Sequence, residues 1–375
     1  MKTLLRTSLM ISLVFLLIGC TLPEITPVAS PSAENLPTST APVVPSLPTT
    51  TETSISLGEV ISTSNASQLK AADRSANSNV QELDWSLDSR SIMLVSQNSS
   101  NGTDQVFGAA SVEVPSLAPK FVYAAPAGTQ RMAASPDGKT VAVIAKDNTQ
   151  VALVDAASGK TLQTLDPGFP VMMASFSPDG KTVSVTAQED WKVTLYETST
   201  GQELQKLTGF STAAPVYDAR FAGSNKWVVW HARATLQLQD PVTGEMGSKP
   251  FEHEDIAVND FVLTPDGSML ASISSKTIDG TSKPIVYLWD TASGSFVRPL
   301  VLDSPGTALS FSPDGKLLAV AAGNAVQIWD VANEKVLATL TDNPNPIYDL
   351  AFSPDGRWLA SSGNDNQLIL WTVMK

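Results

Sequence analysis

The stretch Leu309-Ser310-Phe311-Ser312-Pro313-Asp314-Gly315-Lys316-Leu317-Leu318-Ala319-Val320-Ala321 decides the fold. Two short apolar runs flank Ser-Pro-Asp-Gly. Pro313 presets φ for the second position of a type I turn, Asp314 favours the bridge conformation, and Gly315 supplies a positive φ. The reading is a β-hairpin. The same tetrapeptide recurs at 135–138, 177–180 and 353–356, with Thr-Pro-Asp-Gly at 264–267. Two degenerate copies fill the gaps: Ser86-Leu87-Asp88-Ser89 after Trp85, and Ala222-Gly223-Ser224-Asn225 after Phe221. The seven starts (86, 135, 177, 222, 264, 312 and 353) lie 49, 42, 45, 42, 48 and 41 residues apart. A period of about 44 residues matches a four-stranded propeller blade.

A second signal runs in phase with the first. Leu153-Val154-Asp155, Leu195-Tyr196-Glu197, Leu238-Gln239-Asp240, Leu288-Trp289-Asp290, Ile328-Trp329-Asp330 and Leu370-Trp371-Thr372 end a third strand in six of the seven units. Glycines 159, 201, 244 and 294 then mark a second turn, leading to a fourth strand. Over residues 68–375 the chain resembles the WD-repeat family, with Trp289-Asp290 and Trp329-Asp330 as the namesake dipeptide. The resemblance implies an all-β, seven-bladed propeller of four-stranded antiparallel sheets, assigned to residues 57–375. It departs in detail: there is no Gly-His dipeptide, and only His253 occupies that site. The family's His–Ser/Thr–Asp–Trp hydrogen-bond network is therefore expected to be nearly absent, leaving the blades to apolar packing. The seventh unit ends in its third strand, at Leu368 to Val373. Its fourth is expected from Gln68 to Arg74, closing the ring and removing an exposed edge.

The N-terminus reads differently. Lys2 and Arg6 precede a ten-residue apolar run, Leu9 to Ile18, too short for a membrane-spanning helix. Leu17-Ile18-Gly19-Cys20 resembles the lipobox of bacterial lipoproteins. That resemblance implies a signal peptide at 1–19, cleavage after Gly19, and a diacylglyceryl group on the sulfur of Cys20. Thr21, not Asp, follows the cysteine, which implies no inner-membrane retention in a two-membrane cell. From Thr21 to Ser56, 7 of 36 residues are Pro and 14 are Ser or Thr, so residues 20–56 read as an extended tether. The expected location is extracytoplasmic, in a bacterial cell envelope, lipid-anchored to a membrane.

Composition narrows the function. The formal net charge is −13; without Lys2 and Arg6 it is 22 basic against 37 acidic residues, or −15. Such a surface repels phosphate backbones, so no nucleic acid is expected. Cys20 is the single cysteine, which rules out an internal disulfide and a thiolate-rich zinc site. His231 and His253 fit no metal spacing and read as structural. Asp147-Asn148, Glu189-Asp190 and Asn364-Asp365-Asn366 read as turn caps rather than metal ligands. No repeated ionisable position is read on the first strands. The expectation is therefore no enzyme, cofactor or metal, but a monomeric scaffold for a protein partner. Candidate partner-binding residues on the face built by the d–a and b–c loops are Phe169, Trp191, Phe210, Tyr217 and Tyr348, with insertions at Gln97–Val106 and Lys276–Pro284 opening beside them. The aromatics packing between blades stays open as an alternative. So does a hydrolase or lactonase-like enzyme with a central-channel site, which a charged cluster in the channel would favour.

Overall fold

The computed structural model describes residues 58–374, apart from 77–79, 101–103, 146, 148, 188–191, 209–217, 223–225, 233, 248, 254–257 and 364–366. Seven four-stranded antiparallel sheets follow one another. Strands are labelled here by blade and letter. Strands a are Val80–Trp85, Thr129–Ala134, Val171–Phe176, Asp218–Ala222, Asp260–Leu263, Gly306–Phe311 and Ile347–Phe352. Six blades then run b, c, d in sequence. The seventh takes its outer strand, 7d, from Leu69–Ala76 at the other end of the chain.

The turns work as the sequence implies. In the second blade the Ser135 hydroxyl donates to Asp137 Oδ1 (2.7 Å), which also accepts the Lys139 N–H (3.0 Å). The Thr140 N–H donates back to Ser135 Oγ (2.9 Å), and Gly138 has φ +71°. The same bonds form around Ser177, Thr264, Ser312 and Ser353. The degenerate copy at Ser86 keeps them too, with Ser89 at φ 59° in the glycine position. In Thr264-Pro265-Asp266-Gly267-Ser268 the Thr264 hydroxyl first, then the Ser268 N–H and hydroxyl, pull the Asp266 carboxyl down to about 2.

Each blade boundary has its own apolar cluster. Boundary 7–1 packs Trp358, Leu368 and Leu370 against Val80, Leu83 and Ile92; boundary 3–4 packs Val193, Leu195 and Leu207 against Ala219, Val228 and Trp230. Strands b and c are buried on both faces because a neighbouring sheet covers each side.

Closure uses more of the N-terminus than strand 7d. Leu69 pairs with Val373 and Arg74 with Ile369, in the expected sheet. Ahead of it, Ile61 N–H donates to Gly356 (2.8 Å) and Arg357 Nη1 to Gly58 O (2.6 Å), while Ile61, Ala66 and Leu69 are buried with the sixth and seventh blades. Removing residues 1–78 should therefore lower stability relative to a chain starting at residue 57. Ile61 and Leu69 alone account for about 3–6 kcal/mol of buried apolar surface. Equal thermal midpoints for the two chains would overturn this role for the segment.

Candidate functional site

Strands a surround the axis, and alternate residues on each face it. The turns bring the seven strands into register, so channel-facing positions lie two and four residues before each turn start. In the sequence, Glu82, Arg131, Asp218, Asp260 and Asp349 stand four residues before; Asp84 and Arg220 stand two before. The expectation of no repeated ionisable position on these strands is thus corrected. The signal was present in the sequence, but it emerges only when the strands are aligned by their turns.

Five of these side chains line an axial cavity of about 470 Å³. It includes Glu82, Asp84, Arg220, Asp260 and Asp349, with Phe261, Leu309 and Phe352 among its apolar walls. Leu87, Pro136, Pro178 and Pro354 of the a–b turns ring one mouth. A second cavity of about 400 Å³ shares Glu82, Met173 and Ala174 with the first and adds the amides of Gln81, Gln97 and Gln130 beside Arg131.

Two of the carboxylates join blades. Asp349 Oδ2 accepts the N–H of Leu83, on strand a of the next blade round (2.8 Å), while its Oδ1 accepts its neighbour Leu350 N–H (2.8 Å). Asp260 repeats the device: its Oδ2 accepts Leu309 N–H of the sixth blade (2.8 Å). Its Oδ1 takes Arg220 Nη2 at 2.5 Å. Arg220 also donates to Phe261 O (3.1 Å), and its guanidinium lies 4.1 Å from the centre of the Phe261 ring. Burial pushes the Asp349 carboxyl well above its ordinary value; the Leu83 N–H opposes this, and the charges of Asp260 and Asp84 add to it. Burial also raises Asp84, with Arg220 opposing.

The sequence candidates fall elsewhere. Phe169 is half-buried against the cluster between the second and third blades, and Tyr348 is half-buried beside Asp349. Trp191, Phe210 and Tyr217 lie outside the described residues, as do Cys20 and its tether. So do Asn148, Glu189, Asp190 and Asn364 to Asn366. The two insertions are lengthened b–c hairpins, not irregular loops. Both continue their ladders by four residue pairs past Ser96↔Gly108 and Ser274↔Ile285, roughly 14 Å of added strand. The fifth-blade hairpin turns at Asp279 and Gly280, both at positive φ (50° and 74°), as a two-residue type I′ turn requires.

His253 belongs to the blade interior. Its Nδ1–H donates to Ala234 O (2.9 Å), and Nε2 accepts the Ser272 hydroxyl (2.7 Å), which in turn accepts Trp289 Nε1–H (3.0 Å). The seventh blade repeats the chain with Asn343, Ser361 and Trp371. More of the blade network survives than its sparse histidines imply, because an amide oxygen substitutes for the imidazole. His231 meets Phe261 edge-on, ring centres 5.7 Å apart. Asp155, Asp240, Asp290 and Asp330 each cap the c–d turn by accepting backbone N–H groups. Among the described residues, no group of three or more His, Cys, Asp or Glu is arranged to hold a metal ion.

Residues 306–330 and 334–372, the sixth blade and most of the seventh, match the WD domain, G-beta repeat model. The β-propeller thus carries WD-repeat matches in its sixth and seventh blades. It is 30% identical over 125 residues to cross-pathway control WD-repeat protein 2 of Flammulina velutipes, covering 31% of this chain and 38% of that one. It is 31% identical over 126 residues to the small ribosomal subunit protein RACK1 of Drosophila melanogaster (31% and 37%). A WD repeat-containing protein of Synechocystis is 39% identical over 89 residues (23% and 26%). The matches thus span well under half of each relative.

Two outcomes follow for this propeller. Asp349→Asn keeps one oxygen for Leu83 N–H but turns its NH2 toward Leu350 N–H, so it should lose less stability in denaturant than Asp349→Ala. Asp349→Ala leaves that N–H without its partner and should cost about 1–3 kcal/mol; equal loss in both variants would show that the charge, not the bond, matters. The second outcome concerns pH. Burial, the dominant cause, pushes His253 down from 6.5 to about 4, with the Ala234 carbonyl opposing and His231 assisting. Between those values the unfolded chain binds the proton and the folded chain does not. Stability is therefore complete above about pH 6.5 and falls by about 3 kcal/mol as pH drops to 4. Denaturation of the wild type and His253→Asn across this range should give a shallower slope for the variant; identical slopes would remove His253 as the cause.

Proposed function

We propose that the protein is a lipid-anchored, extracytoplasmic interaction module that captures a protein partner on its d–a/b–c face. One observation carries the choice of face: the b–c hairpins of the first and fifth blades both project beyond the ladder length of the sixth, which ends at Ala322↔Ala325. Extended paired strands hold side chains out from a rigid ring. The Asp279–Lys283 tip is exposed. Trp191, Phe210, Tyr217 and Tyr348 are the aromatic anchors proposed for that face, while Phe169 packs on the cluster between the second and third blades. WD repeats, typical of interaction scaffolds, support the reading.

The lipid on Cys20 and the tether to residue 56 supply the membrane attachment in this proposal. Among the described residues no helix is long and apolar enough to cross a membrane.

A second reading, a hydrolase with its site in the channel, draws on Asp84, Arg220, Asp260 and Asp349. Against it, Asp260 and Asp349 already accept backbone N–H groups across blade boundaries, and Ser310 Oγ accepts Phe352 N–H (3.0 Å). These groups hold the ring together.

One variant serves both halves of the proposal. Cys20→Ser should leave the membrane pellet after a high-salt wash and become a soluble bait. Trp191→Ala or Phe210→Ala in that bait should weaken partner capture by about 2 kcal/mol or more, with melting unchanged. Phe169→Ala, packed on the core, should instead lower melting. Retention of Cys20→Ser in the pellet would sink the anchor, and unchanged capture by every aromatic variant would sink the surface.

A further inference from the structure

The two faces of the ring differ in charge and in apolar exposure. One face is built by the a–b and c–d turns, the other by the d–a and b–c loops. Six of the seven a–b turns end in a cation: Arg90, Lys139, Lys181, Lys226, Lys316 and Arg357. Four of these lie within ion-pair distance of the carboxylate of their own turn, as in Lys139–Asp137 (3.7 Å) and Lys316–Asp314 (3.4 Å). Such exposed pairs add little stability, but they leave the a–b turns close to neutral. The capping carboxylates of the c–d turns keep the turn face mildly acidic. The d–a loops contain no Lys or Arg and carry Asp166, Asp303 and Asp342 among their acids, and the b–c connections are acidic on balance as well. The loop face therefore holds the larger part of the negative excess.

The turn face also carries the apolar side chains that the connections leave in solvent. Leu87, in the first a–b turn, is 60% exposed, and Val242, in the fourth c–d turn, is 84% exposed. Val60 and Met374, beside the seventh blade, are exposed too. Among the described residues no connection on the loop face exposes a large apolar side chain; the other exposed ones lie along the outer d strands. The fourth blade stands across the ring from the seventh and first, so these four side chains are spread over the face. Binding hot spots on proteins cluster at the centre of a patch; this spacing suits a broad, flat surface instead.

The chain enters the propeller on the same face. Arg357 Nη1 donates to Gly58 O (2.6 Å) and Glu59 N–H to Val373 O (3.3 Å), beside the seventh a–b turn. Cys20 lies 38 residues earlier in the sequence. A coil of that length reaches about 35 Å, less than twice the roughly 20 Å height of a six-residue strand. A lipid on Cys20 thus holds the ring at contact distance from a bilayer.

We infer that, in the anchored protein, the turn face lies against the bilayer surface, with Leu87, Val242, Val60 and Met374 in the headgroup layer and the acidic loop face turned outward. This rests on the lipid anchor proposed for Cys20. Two effects set the orientation. Apolar side chains gain by leaving water for the interface. Anionic headgroups repel the more acidic face within a Debye length, about 8–10 Å. The lengthened hairpins then point away from the membrane, where a partner can reach them.

The test uses the full lipidated chain on vesicles of equal parts phosphatidylcholine and phosphatidylglycerol, some of the lipid carrying a headgroup nitroxide. Cys20 is the only cysteine, and in the anchored chain the lipid blocks its sulfur, so an introduced thiol alone takes a fluorophore. Leu87→Cys and Val242→Cys place the label on the turn face; Ser282→Cys places it near the tip of the fifth-blade hairpin. All three positions are exposed, so each variant should fold. Flotation reads the anchor and quenching reads the face. The first two labels should be quenched by the nitroxide lipid and shielded from aqueous iodide, and the third should behave the opposite way. Equal lipid quenching at the three positions, or stronger quenching of the Ser282→Cys label, would overturn the orientation and leave the anchor standing. Shielding of the first two from iodide without lipid quenching would overturn it in favour of a second copy covering that face. A wild-type chain that does not float, and whose Cys20 takes the label, would overturn the anchor and this inference with it.

Discussion

Ring closure is the constraint on which this structure depends. A four-stranded sheet apolar on both faces is stable only when another sheet covers each side. In a row of seven, the end sheets would each leave one face open; in a ring none does. Closure by the hydrogen-bonded pairing of Leu69–Ala76 with Gln367–Val373 also makes the two ends of the propeller a single sheet. The last blade cannot be completed until the first strand of the domain has docked, so its stability is shared between residues about 300 positions apart. The boundary between the seventh and first blades is reinforced accordingly. Trp85 Nε1 donates to Ala351 O (2.9 Å), Asp349 accepts Leu83 N–H, and Ser89 Oγ accepts Asp355 N–H (3.0 Å).

The turns explain how the repeats diverge without losing the fold. Ser-Pro-Asp-Gly is a self-contained hydrogen-bonded unit: hydroxyl to carboxylate, carboxylate to N–H, N–H back to hydroxyl. It needs nothing from the rest of the blade. Ser86-Leu87-Asp88-Ser89 lacks both Pro and Gly yet forms the same bonds, since the hydroxyl and carboxylate do the bonding. The buried His–Ser–Trp chain is the opposite kind of unit. It spans two loops and two strands, and the blades retain it only in part, with apolar clusters carrying the load where it is missing.

The channel charges are a by-product of closure before they are anything else. Seven parallel a strands around an axis leave an inward edge of N–H groups facing a neighbouring strand rather than a ladder partner. Asp260 and Asp349 satisfy two of these across blade boundaries. Bringing them to one axis also places the charges of Asp260 and Asp84 near Asp349, which raises its cost of ionising. Arg220 offsets part of this from the fourth blade.

The seven units, their hairpin turns, the order of strands and the closing segment at Gln68 to Arg74 were all legible in the sequence. Each is written in local, periodic terms: turn residues with fixed φ preferences, apolar runs of strand length, and a final unit visibly one strand short. His253 as a network remnant followed from its place in its repeat. Other features depended on distant residues meeting. Asp349 and Leu83 are 266 positions apart, so no window of sequence couples them. The lengthened hairpins resembled loops because polar strands such as Ser275 to Ile278 lack a buried face and so lack the alternation that marks a strand. Local chemistry determined that the chain would form blades and how many. Only closure into a ring decided which side chains share the axis and which of them are satisfied there by bonds across blade boundaries.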